Sequence, residues 1–442
     1  PIWKKDNGDY ERIGRWQIPI HGESIKPITA EPARKAIGQE NIYERVNITH
    51  LLTDANDPQR IAGAIGFGVR ENKFYVFKAK AVLITCGGAS NVFRPRSINE
   101  GMGRTWYSVF ATGAAYGLMI PIGTEMTQME HRFVPTRFKD GYGPVGMWFQ
   151  YFGAKITNSK GEDYTVTREA ELHKYKPYGL VVPTPTPLRN HQMFLDIKDG
   201  LGPMYMGTDK AMQKIAGGDP KKMRKVQEEA WEDFLDMTIS QALTWASQDI
   251  RPELTPSEVV LAEPYIMGSH SGESGAWVSG PEDLAPSDYF WGYNKMTTIK
   301  GLFAAGDGVG AAPHKFSSGS FTEGRLAAKA AVNFLNDNPE DSTLNDGQVA
   351  SLRDKIWAPL ERFEKHKGAS TAEEVNPHYL TPYQGLVRLQ KIMDEYAGGT
   401  SAWYTTNKPT LERGIQLIEL LREDLNKLAA RDRHELMRCW EV

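Results

Sequence analysis

From Ala79 to Cys86 (AKAVLITC) the chain is nearly all apolar, and the run stops at Gly87-Gly88. Such a run predicts a strand buried on both faces, as in a parallel sheet covered by helices, ending in a tight turn. The same signature returns at Gly301–Ser320 (GLFAAGDGVGAAPHKFSSGS), where a strand ends at Gly306-Asp307 and the Ser317–Ser320 cluster opens a helix predicted near 320–335. In open α/β sheets, ligands lie beyond the carboxyl ends of the strands. An acid at that place accepts hydrogen bonds from sugar or ribityl hydroxyls, and the free amides of a helix start favour an electron-rich oxygen. Each feature alone is equally an ordinary turn or cap. Two strand ends and a helix start together favour a nucleotide cofactor.

The usual companion of such a site, Gly-x-Gly-x-x-Gly after a first strand, is missing, because GFGVRENK (Gly66–Lys73) leads into a strand and not a helix. The pyrophosphate-binding half of the site is therefore expected outside this chain.

Around these strands the character of the sequence changes several times. Residues 41–95 read as strands, and 104–119 as a helix with small residues on one side. Residues 134–265 are rich in proline and aromatics and read as an inserted domain, with one long helix near 222–248 that puts Val226, Trp231, Phe234, Thr238 and Ala242 on one face. Strand character returns at 275–279 and 297–305, and beyond about 340 the pattern is helical, with Leu411, Ile415, Ile418, Leu421, Leu425 and Leu428 at helical spacing.

Length and charge narrow the function. A chain of 442 residues suggests two to four domains. With 52 Lys+Arg against 55 Asp+Glu the net charge is −3, which argues against nucleic acid as a partner. Any anionic substrate must be caught by a local cluster. The two cysteines, Cys86 and Cys439, are too few for a disulfide framework or for a cluster that needs four thiolates. No apolar run reaches about 18 residues, as a membrane-spanning helix requires, and the ten histidines form no metal-binding motif. Arg137, Arg189, His270 and Lys315 stand in Gly- and Pro-rich loops and together could neutralise a multiply charged anion; taken singly, each is more readily a surface ion pair or a structural group.

The ordered motifs GRWQIPIHGESIKP, GRTWYSVF, HRFVPTRFKDGYGPVG, TNSKGEDY, LRNH, WEDFLDM, EPYIMGSHSG, WVSGPED and GDGVGAAPHKFSSGS span nearly the whole chain. In them the chain closely resembles the α subunits of dissimilatory adenylylsulfate reductases, within the fumarate reductase and succinate dehydrogenase flavoprotein group. The resemblance implies a mixed α/β and α+β fold: an FAD-binding domain (1–133 and 266–345) split by a capping domain (134–265), then a helical domain (346–442). It also implies a fragment lacking both ends, which alone would hold FAD poorly. Reduced FAD would attack the sulfur of adenylylsulfate through N5, AMP would leave, and the flavin–sulfite adduct would release sulfite, with the reverse course in sulfur oxidation. Electrons would come from an iron–sulfur β subunit carrying two [4Fe-4S] clusters. The setting would be cytoplasmic, with room for peripheral contact with a membrane electron-transfer complex.

Matched motif by motif, Arg137 and His270 fall beside the sulfate group and would be catalytic. Trp106, Arg189 and Lys315 would bind substrate, with Trp106 lining the channel and Arg189 stacking on adenine. Gly306, Asp307, Ser320 and Phe321 fall at flavin-contacting positions, and Val46, Thr85, Gly87 and Gly88 on the adenosine side. No metal site is implied in this chain. The dicarboxylate enzymes of the wider group usually carry Arg at the place of Lys315, inside an N-R-x-G-G-N-S-L pattern, and HKFSSGSF here argues against fumarate or succinate. Gln150 stands where an aliphatic residue is usual in the adenine pocket, and Glu273-Ser274 replaces a pair that often contains Cys. A dicarboxylate-type flavoprotein (a fumarate reductase or aspartate oxidase) and a non-catalytic fragment are the alternatives.

Overall fold

The apolar run before Gly87-Gly88 forms the strand Val82–Ile84, and it pairs in parallel with Leu302–Ala304, the strand that leads into Gly306 (Val82↔Leu302, Ile84↔Ala304). This is seen in a computed structural model, which describes residues 2–4, 6–7, 10–12, 22–97, 108–139, 145–146, 148–181, 184–268, 274–310, 316–370, 372 and 376–442. Trp106, His270, Glu273 and Lys315 lie outside the described residues. The chain divides into two compact units, one of residues 1–43, 136–176 and 191–260, the other of 44–135, 177–190 and 261–442.

In the larger unit, Val46–Thr53, Ile61–Gly68 and Phe74–Lys78 form an antiparallel sheet whose central strand is buried along its whole length. Both of its faces are covered. Leu51, Ile61, Ile84, Ala115, Met119, Leu302 and Val309 share one core. Leu52, on the opposite face from Leu51 as strand alternation requires, joins Ile65 and Phe67 in a second core with Ile356, Leu380, Leu428 and Leu436 of the helical C-terminal region. There the helices Asp346–His366, Pro382–Tyr396, Lys408–Asp424 and Arg433–Cys439 follow in order. The apolar stripe expected from Leu411 onward is α-helical to Asp424 and continues as a 3-10 turn over Leu425–Lys427. Leu428 leaves helical geometry, and Asp432 caps a fresh helix through the Glu435 amide. Leu421 and Leu428 are buried, whereas Leu411 and Ile415 remain exposed.

In the smaller unit a four-stranded sheet (order Thr136–Phe138, Ser257–Leu261, Met204–Met206, Ile156–Thr157) packs beside several helices. Its core is aromatic: Phe138 meets Trp148 and Trp245 edge-on, each at 4.9 Å, and Phe234 stacks on Trp148 at 5.8 Å. The single helix expected near 222–248 is two, Pro220–Met237 and Ile239–Ser247. Thr238 breaks it by taking extended dihedrals (φ −165°, ψ 97°), a conformation that suits a β-branched residue. Asp219, with Pro220 after it, starts the first of the two by accepting the Lys221 amide.

Candidate active site

The two parallel strand ends turn through left-handed glycines, Gly87 at φ 78° and Gly306 at φ 76°, a conformation that costs a side chain roughly 1–2 kcal/mol. At Gly87 nothing lies within 4 Å of where a Cβ would stand. Gly88 differs. A Cβ there would fall 2.6 Å from the Met267 Cβ and 2.8 Å from the Ile266 carbonyl. Gly88 therefore lets the 266–268 segment approach, fixed by reciprocal Ala89–Ile266 backbone bonds of 2.7 and 2.8 Å, while Gly87 leaves open space. Across the pair, a Cβ on Gly308 would lie 3.3 Å from the Gly87 carbonyl, so the two turns are in close packing.

The helix Phe316–Asp337 begins beside these turns. A Cβ on Gly306 would be 3.7 Å from the Ser320 hydroxyl, which puts Ser320 directly at the turn, and Phe321 beside it is exposed. The Asp307 carbonyl is held by the Gly268 amide at 2.8 Å and lies 3.2 Å from the hydroxyl of Tyr116. That hydroxyl also reaches the carbonyls of Ile266 (3.2 Å) and Ser274 (3.4 Å), and burial pushes its pKa well above the usual phenol value. Ser274, the second residue of the unusual Glu273-Ser274 pair, is fully buried, with its hydroxyl 2.9 Å from the Gln128 carbonyl and 2.7 Å from that of His131.

The structure thus brings Thr85, Gly87, Gly88, Gly306, Asp307 and Ser320 to one place. Val46 opens a different sheet, paired with Gly68. Arg137 is buried in the strand Thr136–Phe138 of the smaller unit, its neighbour Phe138 turned into the aromatic core. Arg189 is half-buried in the first turn of the helix Thr186–Lys198, with its guanidinium 3.4 Å from the Thr186 hydroxyl.

Sequence reasoning missed Tyr116, Glu323 and Lys295. Glu323 accepts the Gly306 amide at 2.9 Å and the Lys295 ammonium at 3.0 Å. Its only signal in the sequence was its place three residues after Ser320, on the same helix face. The arrangement fits a flavin nucleotide: a left-handed glycine with open space before it, a facing Gly-Asp turn, and a serine hydroxyl in the second turn of a helix that opens at Phe316, earlier than the 320 expected from the sequence. Among the described residues there is no group of three His, Cys, Asp or Glu placed to hold a metal.

No family model matches the chain. It is 50% identical over 446 residues to the adenylylsulfate reductase subunit α of Megalodesulfovibrio gigas, covering 98% of this chain and 67% of that protein. The chain belongs to the adenylylsulfate reductase α-subunit family. A solved adenosine-5-phosphosulfate reductase in complex with sulfite as a covalent adduct superposes with a TM-score of 0.93 at 61% identity, over all of this chain and 69% of that one. The chain thus spans about two thirds of the length of its relatives. A single-substitution variant of quinol fumarate reductase FrdA of E. coli superposes over all of the chain and 69% of its own with a TM-score of 0.62 at 16% identity, which shows a shared fold alone.

Proposed function

We propose that the chain is the FAD-containing catalytic chain of an adenylylsulfate reductase, interconverting adenylylsulfate plus two electrons with sulfite and AMP. The observation that carries this is the 61% identity, along the whole chain, to a reductase whose solved structure holds sulfite as a covalent adduct. Residues 1–133 and 266–345 are read as the two parts of the FAD-binding domain, 134–265 as the cap and 346–442 as the helical domain. When bound and reduced, FAD would relay two electrons and offer the nucleophilic ring nitrogen that the sulfur chemistry needs.

The chain's own residues hold and polarise. Thr85 and Gly87 let the cofactor's backbone-facing edge approach one strand end, Gly88 seats the segment from Ile266 to Gly268 behind that edge, and Val46 lies towards the adenosine. Gly306, Asp307, Ser320 and Phe321 face it from the other: the Asp307 carboxylate accepts hydroxyl hydrogens, and Ser320 donates to an electron-rich oxygen. Arg137 and His270 take the sulfate end. A buried guanidinium acts there with little screening by water, so it stabilises charge on the sulfur oxygens more strongly than a surface arginine would. Arg189 offers a planar face to adenine, Lys315 a further positive charge to the anion, and Trp106 a wall to the channel.

Electrons are assigned to an iron–sulfur β subunit with two [4Fe-4S] clusters, in keeping with only two cysteines here. Among the described residues no helix is long and apolar enough to cross a membrane, and the enzyme is assigned to the cytoplasm. A substrate panel tests the whole reading. Sulfite plus AMP should reduce an artificial electron acceptor, and succinate should not. Turnover of succinate or fumarate with none of sulfite and AMP would overturn it in favour of a dicarboxylate enzyme.

A further inference from the structure

We propose that Glu323 is a positioning residue of the cofactor site, acting through the Gly306 amide to fix the turn that faces the flavin; the inference rests on the FAD reading above. Glu323 is only 5% exposed. A carboxylate so placed must be paired and hydrogen-bonded to be tolerated. It is: Oε2 accepts the Gly306 amide at 2.9 Å, and Oε1 accepts Lys295 Nζ at 3.0 Å. Lys295 is itself anchored by its backbone, since its carbonyl accepts the Ala304 amide at 3.2 Å, two residues before Gly306. It also holds a left-handed conformation, φ 66°, that is uncommon for a side-chain-bearing residue. One carboxylate therefore ties together the helix Phe316–Asp337, the end of the strand Leu302–Ala304 and the Lys295 turn.

The spacing gives this tie its consequence. Ser320 and Glu323 are three residues apart and lie on one face of the helix, and both meet Gly306: Glu323 through its amide, Ser320 across the 3.7 Å gap to a notional Cβ. Glu323 thereby sets how far the second turn of the helix stands from the strand end. The Gly306-Asp307 turn and the Ser320 hydroxyl are the two groups that would grip the flavin from this side, so their separation is what a bound cofactor reads. The Lys295–Glu323 ion pair balances the buried charge, whereas the Gly306 bond sets the turn. These two jobs separate under substitution.

Glu323→Gln keeps a carbonyl oxygen for the Gly306 amide but removes the countercharge of Lys295. Glu323→Ala removes both. The deflavinated enzyme would be titrated with FAD, following flavin fluorescence, and melted without FAD. Both variants should melt below the wild type, because each leaves Lys295 buried without its partner. FAD affinity should fall at least about tenfold in Glu323→Ala and stay within about threefold of wild type in Glu323→Gln. The same pair in a Lys295→Met background carries no lone buried charge and repeats the comparison should the single variants fail to fold. Equal affinity in the Gln and Ala variants, whether both reduced or both intact, overturns the positioning role and leaves the FAD reading standing. The titration is run on the enzyme whose α chain has the full length of its relatives, since this stretch covers only 67% of one of them; a wild-type enzyme of that length that takes up no FAD overturns that reading instead.

Discussion

Arg132 lies so close over Gly398 that a Cβ on that glycine would fall 2.2 Å from its Nη1. The guanidinium donates to the carbonyls of Ala397 and Gly398 and reaches that of Tyr404 at 3.4 Å. This turn is costly by itself: Trp403 and Tyr404 are both left-handed (φ 53° and 55°), as is Gly398 (φ 73°), which has no Cβ to strain. Two further ties surround it, Tyr404 donating to the Ala262 carbonyl at 2.9 Å and Thr400 to that of Arg96 at 3.1 Å. The helical region thus holds the segments of Arg96, Arg132 and Ala262, all within the larger unit.

Arg132→Ala should therefore destabilise the protein by about 3 kcal/mol, since it strands partly buried carbonyls in an already strained turn. Gly398→Ala should act in the same direction, by clash and by backbone strain. Urea unfolding measures both. A midpoint unchanged in Arg132→Ala would show that water replaces the guanidinium without loss.

Gly87→Ala and Gly88→Ala should fail differently. Gly87 faces open space, so its added methyl costs only the left-handed strain of roughly 1–2 kcal/mol and then occupies the place of the cofactor. Flavin content should drop while the protein stays folded. Gly88→Ala drives a methyl into Met267 and the Ile266 carbonyl, within the backbone bonds that join Ala89 to Ile266. Melting temperature should fall first there. Flavin-to-protein ratio and melting curves on the two purified variants separate these outcomes; the same pattern in both would remove the distinction between cradle and packing glycine.

The two glycine turns illustrate what the sequence makes legible. An apolar run stopping at Gly-Gly or Gly-Asp needs only local chemistry to be read as a strand end, and both strands formed and paired in parallel; the burial of the first on both faces did not follow, because it is only Val82–Ile84 and Leu83 on one face is exposed. The pairing of Ser320 with Gly306 was within reach of the same logic. Glu323, Tyr116 and Lys295 were not, because a glutamate or lysine in a helix or loop is ordinarily solvated, and its burial depends on partners distant in sequence: Tyr116 meets carbonyls 150, 158 and 191 residues away. The helix break at Thr238 escaped for a related reason. The apolar face continues in register across it, so periodicity alone sees one helix.

Acid stability should carry a specific contribution from His50. Its ring stands edge-on to Trp440 at 5.1 Å, with Nδ1 3.0 Å from the Thr49 hydroxyl. Burial first, and then the charge of Lys355, hold its pKa down to about 4 from an ordinary 6.5. Between those values the unfolded chain binds the proton and the folded one does not, so stability rises with pH through this window. The contribution is complete above about 6.5 and is lost as pH falls towards 4. Carboxylates titrate in the lower part of the same range, so the measurement is the difference between wild type and His50→Gln. That difference should be constant from pH 8 to 7 and shift steadily against the wild type below pH 6.5. Parallel pH profiles would show that the ring accepts a proton in place.

Arg137 and Arg189 should separate kinetically in the enzyme carrying its iron–sulfur partner. Arg137 is buried on a strand, and Arg189 is half-buried at a helix start. If Arg137 faces the sulfur, it meets charge that develops as the bond to AMP breaks, and Arg137→Ala should lower turnover on the order of 10²–10³-fold with little change in flavin content. If Arg189 stacks on adenine, it binds ground and transition states alike, so Arg189→Ala should raise KM more than it lowers kcat. Sulfite alone gives an independent handle, because it bleaches flavin absorbance without AMP. Arg189→Ala should bleach as the wild type does, and Arg137→Ala should need far more sulfite, having lost the cation that draws and holds the anion. Equal bleaching in the two variants would mean that the arginines serve the opposite ends of the substrate from those assigned here.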